Sequence, residues 1–478
     1  MKPQLAVMGV VFLGAAWGAP NPEAPLSFFV APATSDLSAE GAPARAAEVV
    51  SLVAARGERE SFFVVLQPQT SAQRIEVHAG ALRGPGGELP KAQVHVYRAG
   101  FVDLDGIRVL DPLRPMPLGK SVAAGFGVAA VNVPLFFDLA VPRWAQPGRY
   151  EGTIEVRVDE ARAQVPIELE VLRLDLPRQA SLPTAFEFSG RELLLGSGRA
   201  VSAPDGAAVR LRFAMAGLAS RVTFIEGGVE APAFKVLPGN GELEIDFERF
   251  DLEVGVLLDG VETLEGARAS ALALPLPSGL TSLQRFKYVL AFRRHLKEKG
   301  WDDRLVDLVV REPEALAASL GRPAHGQSWG ELVARKGAWR ESAWWSVPTT
   351  GSTSLTLGAP AHVVRAIPWL AYRAGAAGLR YGEVLDGFRR AGWDKSLSRA
   401  ALFYPSPDVL VESIRLKHLR DGLEDYELLK LAEHAGQGAL AQTWARRLAA
   451  SPEAVHREPM LFEKAKRDLA SALSKAKR

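Results

Sequence analysis

Apolar and polar positions follow two different rhythms along this chain. From about residue 26 to 176 they form short alternating segments such as Ser61-Phe62-Phe63-Val64-Val65-Leu66, Gln93-Val94-His95-Val96-Tyr97 and Thr153-Ile154-Glu155-Val156-Arg157-Val158. A period of two is that of a strand with one face buried. Gly84-Pro85-Gly86-Gly87 and Gln146-Pro147-Gly148 supply tight-turn chemistry between the segments. Residues 165–172 read as a last strand and Asp175-Leu176-Pro177-Arg178 as a linker. Many short strands at this spacing predict an antiparallel β-sandwich.

From Leu182 the rhythm changes. Strand-like runs at 184–188, 221–225, 271–275, 305–310, 343–347 and 379–384 alternate with helical stretches such as 283–299, which Gly300 closes. Alternation of this kind predicts a mostly parallel sheet covered by helices, with about six strands where a full barrel has eight. The run Leu305-Val306-Asp307-Leu308-Val309-Val310 ends in Arg311-Glu312-Pro313-Glu314. A proline there stops the ladder and holds its predecessor extended. A carboxylate where a buried strand ends is how α/β barrels present their chemistry. The alternative is that Arg311 and Glu312 only lead into a helix with Pro313 in its first turn. After Asp408 the pattern is almost wholly helical, with Leu416, Leu419, Leu423 and Tyr426 on one face and Arg420 one turn from Glu424.

Composition narrows the function classes. The chain has 478 residues, 47% hydrophobic and 23% charged, which is ordinary for a protein of two or three domains. A net charge of +2 without a basic-aromatic cluster gives no sign of a nucleic-acid partner. Met1-Lys2 followed by the apolar run 5–17 and Ala16-Trp17-Gly18 predicts a secretory signal at 1–18. A secreted, periplasmic or envelope location follows, with no stable membrane span once the signal is removed. The absence of cysteine rules out disulfides, a thiol nucleophile and a lipidated anchor.

Few motifs carry chemistry. Gly326-Gln327-Ser328-Trp329-Gly330 has the spacing of a nucleophile elbow, but 321–324 is no strand, and Ser328 with Glu331 reads as a capping box. The eight histidines show no metal-ligand spacing, and no glycine loop cradles phosphate, so neither a metal nor a cofactor is expected. Trp344, Trp345 and Tyr381 stand near predicted strands, where aromatic faces stack on sugar rings or fill the core. Trp369 in Ile367-Pro368-Trp369-Leu370 reads as core. The charges of 415–427 read as a salt-bridged structural surface, with an active site as the alternative.

Ser413-Ile414-Arg415-Leu416-Lys417-His418-Leu419-Arg420-Asp421-Gly422-Leu423-Glu424-Asp425-Tyr426-Glu427 closely resembles the signature of the domain of unknown function 4091 family, which is similar to glycoside hydrolase family 123. Arg56-Gly57-Glu58-Arg59-Glu60-Ser61, Leu110-Asp111-Pro112-Leu113-Arg114-Pro115 and Pro147-Gly148-Arg149-Tyr150-Glu151-Gly152-Thr153 resemble the sandwich motifs of that group. Ile245-Asp246-Phe247-Glu248-Arg249-Phe250-Asp251, Glu298-Lys299-Gly300-Trp301 and Pro368-Trp369-Leu370-Ala371-Tyr372 resemble its barrel motifs. The resemblance implies a β-sandwich over 19–177, a shortened TIM-barrel-like α/β domain over 178–405 and a helical tail over 406–478. It also implies a carbohydrate partner.

The family's chemistry uses an Asp-Glu pair followed by proline. The aspartate orients the substrate's 2-acetamido group, whose carbonyl oxygen is the nucleophile, and the glutamate is the acid/base. By this resemblance Glu312 is the candidate acid/base, while Arg311 holds the aspartate's place. Arginine has no acceptor for an acetamide N–H, and a cation beside Glu312 lowers a pKa that acid catalysis needs raised. Trp345, Tyr381 and Trp344 are the candidate sugar contacts, with Tyr381-Gly382 standing where the family tends to have Tyr-Trp. Two readings stay open: a glycoside-hydrolase-like enzyme, or a non-catalytic carbohydrate-binding or envelope protein derived from one.

Overall fold

The computed structural model describes residues 26–39, 47–68, 71–126, 132–226, 231–238, 242–306, 326–327, 344–382, 384–385 and 399–476. The first part of the chain supplies five strands of one seven-stranded sheet and all the strands of a second, both almost wholly antiparallel. In the strand Ala161–Asp175, Ala163, Val165, Ile167, Leu169 and Val171 are buried while Gln164, Pro166, Glu168 and Glu170 face out. That alternation makes one face core and the other solvent. These residues share one apolar cluster with Phe62, Val64, Leu66, Leu135 and Phe137 of the other sheet, so the two sheets face each other across it. The predicted turn at 84–87 links the hairpin Leu82–Gly84 and Gly87–Leu89.

The sheet containing Arg59–Leu66 and Val133–Ala140 differs from the predicted pattern. Every residue of Val133–Ala140 is buried, and so are seven of the eight in Arg59–Leu66. The second face of this sheet carries Phe63, Val65, Leu113 and Phe136, which pack with Ile414 at the start of the tail helix Ile414–His434. A sheet covered on both faces needs continuous apolar runs. The tail also supplies strands: Val411–Ser413 pairs with Ile107–Met116 through Glu412 and Leu113, and Phe403–Tyr404 extends the same sheet. The wholly helical reading beyond Asp408 is corrected there, because the chain returns to the N-terminal sheet before the helix begins.

Between these parts lie short parallel strands. Thr184–Phe188 pairs with both Phe224–Glu226 and Gly378–Tyr381, and Trp344–Ser346 lies between Gly378–Tyr381 and Gly326–Gln327. Leu272–Ala273 pairs in parallel with Leu305–Val306. Three strand starts are stitched by hydroxyls: Thr223 N–H donates to Thr184 Oγ1 at 2.7 Å, Thr184 N–H to Ser270 Oγ at 3.2 Å, and Ser270 N–H to Thr223 Oγ1 at 2.8 Å. The first strand of this region thus meets the strand starts at Thr223 and Ser270 as well as pairing with Gly378–Tyr381. All six predicted strands have a described counterpart, Thr184–Phe188 with the expected bounds, and Gly326–Gln327 is one that the pattern did not predict. The helix expected over 283–299 spans Ser282–Lys299, opened by a capping box at Thr281 and closed by Gly300 at φ 73°.

Candidate functional site

Side chains alternate across a parallel strand, so each strand of this region has two different faces. Ala185, Ile225, Ala271, Val306 and Trp344 come from five strands or their starts and form one small cluster. Phe186, Phe188, Trp345, Leu379 and Tyr381 belong to the large cluster beneath the helix Ala361–Ala374 and the tail helix. Positions in step with the small cluster point to a common interior. At the carboxyl edge those positions are Glu187, Ser346 and Arg380, with Arg380 in register with both Ala185 and Ser346.

These three residues are exposed or half-buried, beside the apolar cluster of Ala185, Ile225, Ala271, Val306 and Trp344. Arg380 Nε donates to Glu187 Oε1 at 2.6 Å, and Nη2 approaches the same oxygen at 2.5 Å. The pair leaves Glu187 Oε2 as an acceptor and other Arg380 N–H groups as donors on one polar patch above Trp344. A neighbouring carboxylate, Glu226, ends the next strand but pairs across from Phe188, on the outward face. Burial raises the Glu226 pKa, and Arg210, 3.4 Å away, only partly offsets it. Gly190 makes room for it, since a Cβ there would lie 1.8 Å from Glu226 Oε1. Glu187 and Glu226 therefore sit on adjacent strands without converging.

Of the residues singled out by sequence, Arg311 and Glu312 lie outside the described residues, as does Ser328. Trp345 and Tyr381 are each 1% exposed. A stacking platform needs an open ring face, and both rings are spent on core packing, Tyr381 against Phe186 at 5.5 Å between centroids. The sugar-wall role expected of them is corrected accordingly. Trp344 points inward but is also buried, floored against Ala185 and Ala377. Trp369 is core, and its indole N–H donates to Asp425 at 3.0 Å. Glu187 and Arg380 escaped sequence reasoning. Their signal was a polar residue at the end of an otherwise apolar strand, in Thr184-Ala185-Phe186-Glu187-Phe188 and Gly378-Leu379-Arg380-Tyr381.

The tail charges also need correcting. They are salt-bridged and structural as read, but not at the surface: Arg415, Lys417, His418, Arg420, Glu424, Asp425 and Glu427 are all buried. Arg415 forks onto Asp111 at 2.9 and 3.1 Å, and Arg420 reaches Asp138 at 2.7 Å. Asp425 receives Arg365 at 2.8 and 3.1 Å, and Lys417 meets Glu412 at 2.6 Å. Such burial requires every charge to be paired. These contacts clamp the tail helix to the N-terminal sheet and to the helix Ala361–Ala374, so they are structural.

Among the described residues no helix is long and apolar enough to cross a membrane, and no group of three or more acidic or histidine side chains could hold a metal ion. No family model matches the chain, and no curated protein matches it. The likeness to the 4091 family thus rests on its sequence motifs. Short likenesses to the CooA pilin subunit of enterotoxigenic Escherichia coli (TM-score 0.17, 11% identity, 26% of this chain and 89% of that one) and to the N-terminal domain of PorA (0.16, 14%, 30% and 97%) are too weak to bear on the fold. A family 123 glycoside hydrolase from Clostridium perfringens, described for glycolipid glycan hydrolysis, matches with a TM-score of 0.62 and 13% identity over 95% of this chain and 99% of its own. In fold, from the first sheets to the helical tail, this chain is similar to a family 123 glycoside hydrolase.

Proposed function

We propose that this chain is an exported, glycoside-hydrolase-like protein that binds glycan at the carboxyl edge of its parallel strands and does not turn it over by the family 123 route. In this reading the two facing sheets are a β-sandwich, and the parallel strands are a shortened, barrel-like ring. The observation that carries it is the fold similarity across nearly the whole of both chains. Fold alone does not give function, so the residues at the edge must supply the rest.

The patch of Glu187, Arg380 and Ser346 offers an acceptor, a planar set of donors and a hydroxyl side by side, which matches the adjacent hydroxyls of a sugar. The pairing of Glu187 with Arg380 favours binding over catalysis, because the carboxylate oxygen that would have to meet a leaving group is already held by the guanidinium. Arg311 in place of the orienting aspartate points the same way. The test is a glycan array followed by calorimetric titration of the best ligand. Binding of N-acetylhexosamine-bearing glycans, weakened about tenfold or more in Glu187→Gln and Arg380→Met, is the expected result. Binding unchanged in both variants, or no glycan bound, would overturn the reading.

A further inference from the structure

A cavity of about 40 Å3 lies where the N-terminal sheets, the parallel strands and the tail helix meet. It is remote from the glycan patch: Arg178 and Arg221 on its wall precede the strands Thr184–Phe188 and Phe224–Glu226, whereas Glu187 and Arg380 lie at or near the carboxyl ends of theirs. Arg143 joins them from the loop that follows Val133–Ala140, and Glu58, Arg59, Glu265 and Glu424 complete the charged lining, with Glu58 already paired to Lys466 at 2.7 Å and Arg59 to Asp138 at 2.5 Å.

The charges around this cavity do not balance locally. Glu427 receives Arg221 Nη2 at 3.0 Å, and Asp175 is held by Arg56 at 2.5 Å. Glu265 accepts only the main-chain N–H of Arg143, at 3.2 Å, while Arg143 Nε turns to the Glu265 carbonyl at 3.4 Å. Among the described residues, no carboxylate forms an ion pair with the guanidinium of Arg143 or of Arg178. Burial lowers the Arg143 pKa, and the nearby Arg178 and Arg221 lower it further. Glu424 does not compensate, since burial pushes its carboxyl up to about 8 and leaves it mostly protonated at neutral pH.

Two further observations show donors aimed inward. Arg221 Nε is buried without a hydrogen-bond partner on a side chain only 10% exposed, and Arg221 holds a left-handed backbone at φ 57°. A residue other than glycine rarely adopts that conformation, so the surrounding structure holds the Arg221 backbone in it. Gly57 also has a positive φ of 79°, and a Cβ there would come within 2.9 Å of Arg143 Nη2.

We propose that this cavity binds a small tetrahedral oxyanion of the phosphate or sulfate class, clamped by Arg143, Arg178 and Arg221 and locking the N-terminal sheets onto the parallel-strand region. Three arginines that line one cavity from a loop, the linker and a turn offer donors from several directions, which suits an anion with several equivalent oxygens better than a planar carboxylate. The volume is about three times what one water needs, which limits the ligand to a few heavy atoms.

The proposal is tested on the full mature protein by thermal unfolding and calorimetry, with phosphate, sulfate, acetate or chloride titrated at constant ionic strength. Phosphate and sulfate should each raise the Tm saturably, while acetate and chloride should not. Arg178 is exposed, so Arg178→Gln should fold with an unchanged anion-free Tm and bind phosphate about tenfold more weakly or worse. Arg143→Gln should show the same loss of affinity. Equal responses to phosphate and chloride, or to phosphate and acetate, would overturn the proposal. So would a phosphate response that Arg178→Gln leaves intact.

Discussion

Asp138 is the residue on which attachment of the tail to the N-terminal sheet depends. Its carboxylate is 0% exposed and receives Arg59 Nη1 at 2.5 Å, Arg420 Nη1 at 2.7 Å and Ser61 Oγ at 3.2 Å. Lys417 stands 4.0 Å away. Asp138→Asn keeps the shape but removes the carboxylate that Arg59 and Arg420 share and turns an amide N–H2 towards them; Arg420 keeps Asp421 at 2.7 Å, whereas Arg59 has no other ion pair among the described residues. Leaving buried charges without their partner costs about 3–5 kcal/mol, a large share of the ~5–15 kcal/mol that stabilises a typical domain. Urea unfolding at pH 7 should therefore show a loss of about 3–5 kcal/mol, whereas Ser61→Ala should cost only about 1 kcal/mol. The acid limb gives an independent check. Burial alone would push the Asp138 carboxyl up, but Arg420, Arg59 and Lys417 together hold it well below its ordinary 3.8. A depressed carboxylate stabilises the fold above its unfolded pKa and loses that contribution as the pH falls below it. The gap between wild type and Asp138→Asn should thus be full at neutral pH and narrow once the pH drops under 3.8. A cost below about 1 kcal/mol at pH 7, or a gap indifferent to acid, would refute the clamp.

Glu424→Gln should behave in the opposite sense with pH. Burial, opposed by Arg420 and assisted by Glu58, raises its carboxyl from 4.5 to about 8, so the folded state keeps a proton that the unfolded state releases across that window. Wild type should lose stability as the pH rises through it, and the glutamine variant should lose less, as read from Tm against pH. Gly422→Ala should destabilise by about 1–3 kcal/mol although alanine is the better helix former, because a Cβ there would lie 2.2 Å from the Arg365 carbonyl oxygen and 2.9 Å from Pro368 Cδ. Leu423, 1% exposed in the large core cluster, should cost about 2–5 kcal/mol on truncation to alanine in the same assay.

Local features of this fold were legible where the deciding partner lies nearby in the chain. The hairpin at 84–87, the helix closed by Gly300 and the strand Thr184–Phe188 all follow from turn chemistry, capping and periodicity. The burial of the tail charges was not legible because their partners are remote: 304 residues separate Arg415 from Asp111 and 282 separate Arg420 from Asp138. Charges alternating along a helix look solvated when nothing in the neighbouring sequence reveals the sheet that covers them. The solid apolar run 62–66 did carry a hint, since a strand with a wet face would alternate. At the candidate site, near-neighbours took opposite roles. Trp344 and Trp345 differ by one residue, hence by one face of the sheet, and register is fixed only by strand pairing. The same parity argument brings out Glu187 and Arg380, whose contact spans 193 residues.

The absence of family-type turnover is the point on which the functional account stands or falls. Release of nitrophenol from an aryl N-acetylgalactosaminide should be measured for the wild-type protein and for Glu312→Gln side by side. On the proposed reading, in which Arg311 stands in the place of the acetamide-orienting aspartate, both proteins should show the same background rate. Ready hydrolysis by the wild type that Glu312→Gln abolishes would contradict the account and make this chain a working glycosidase.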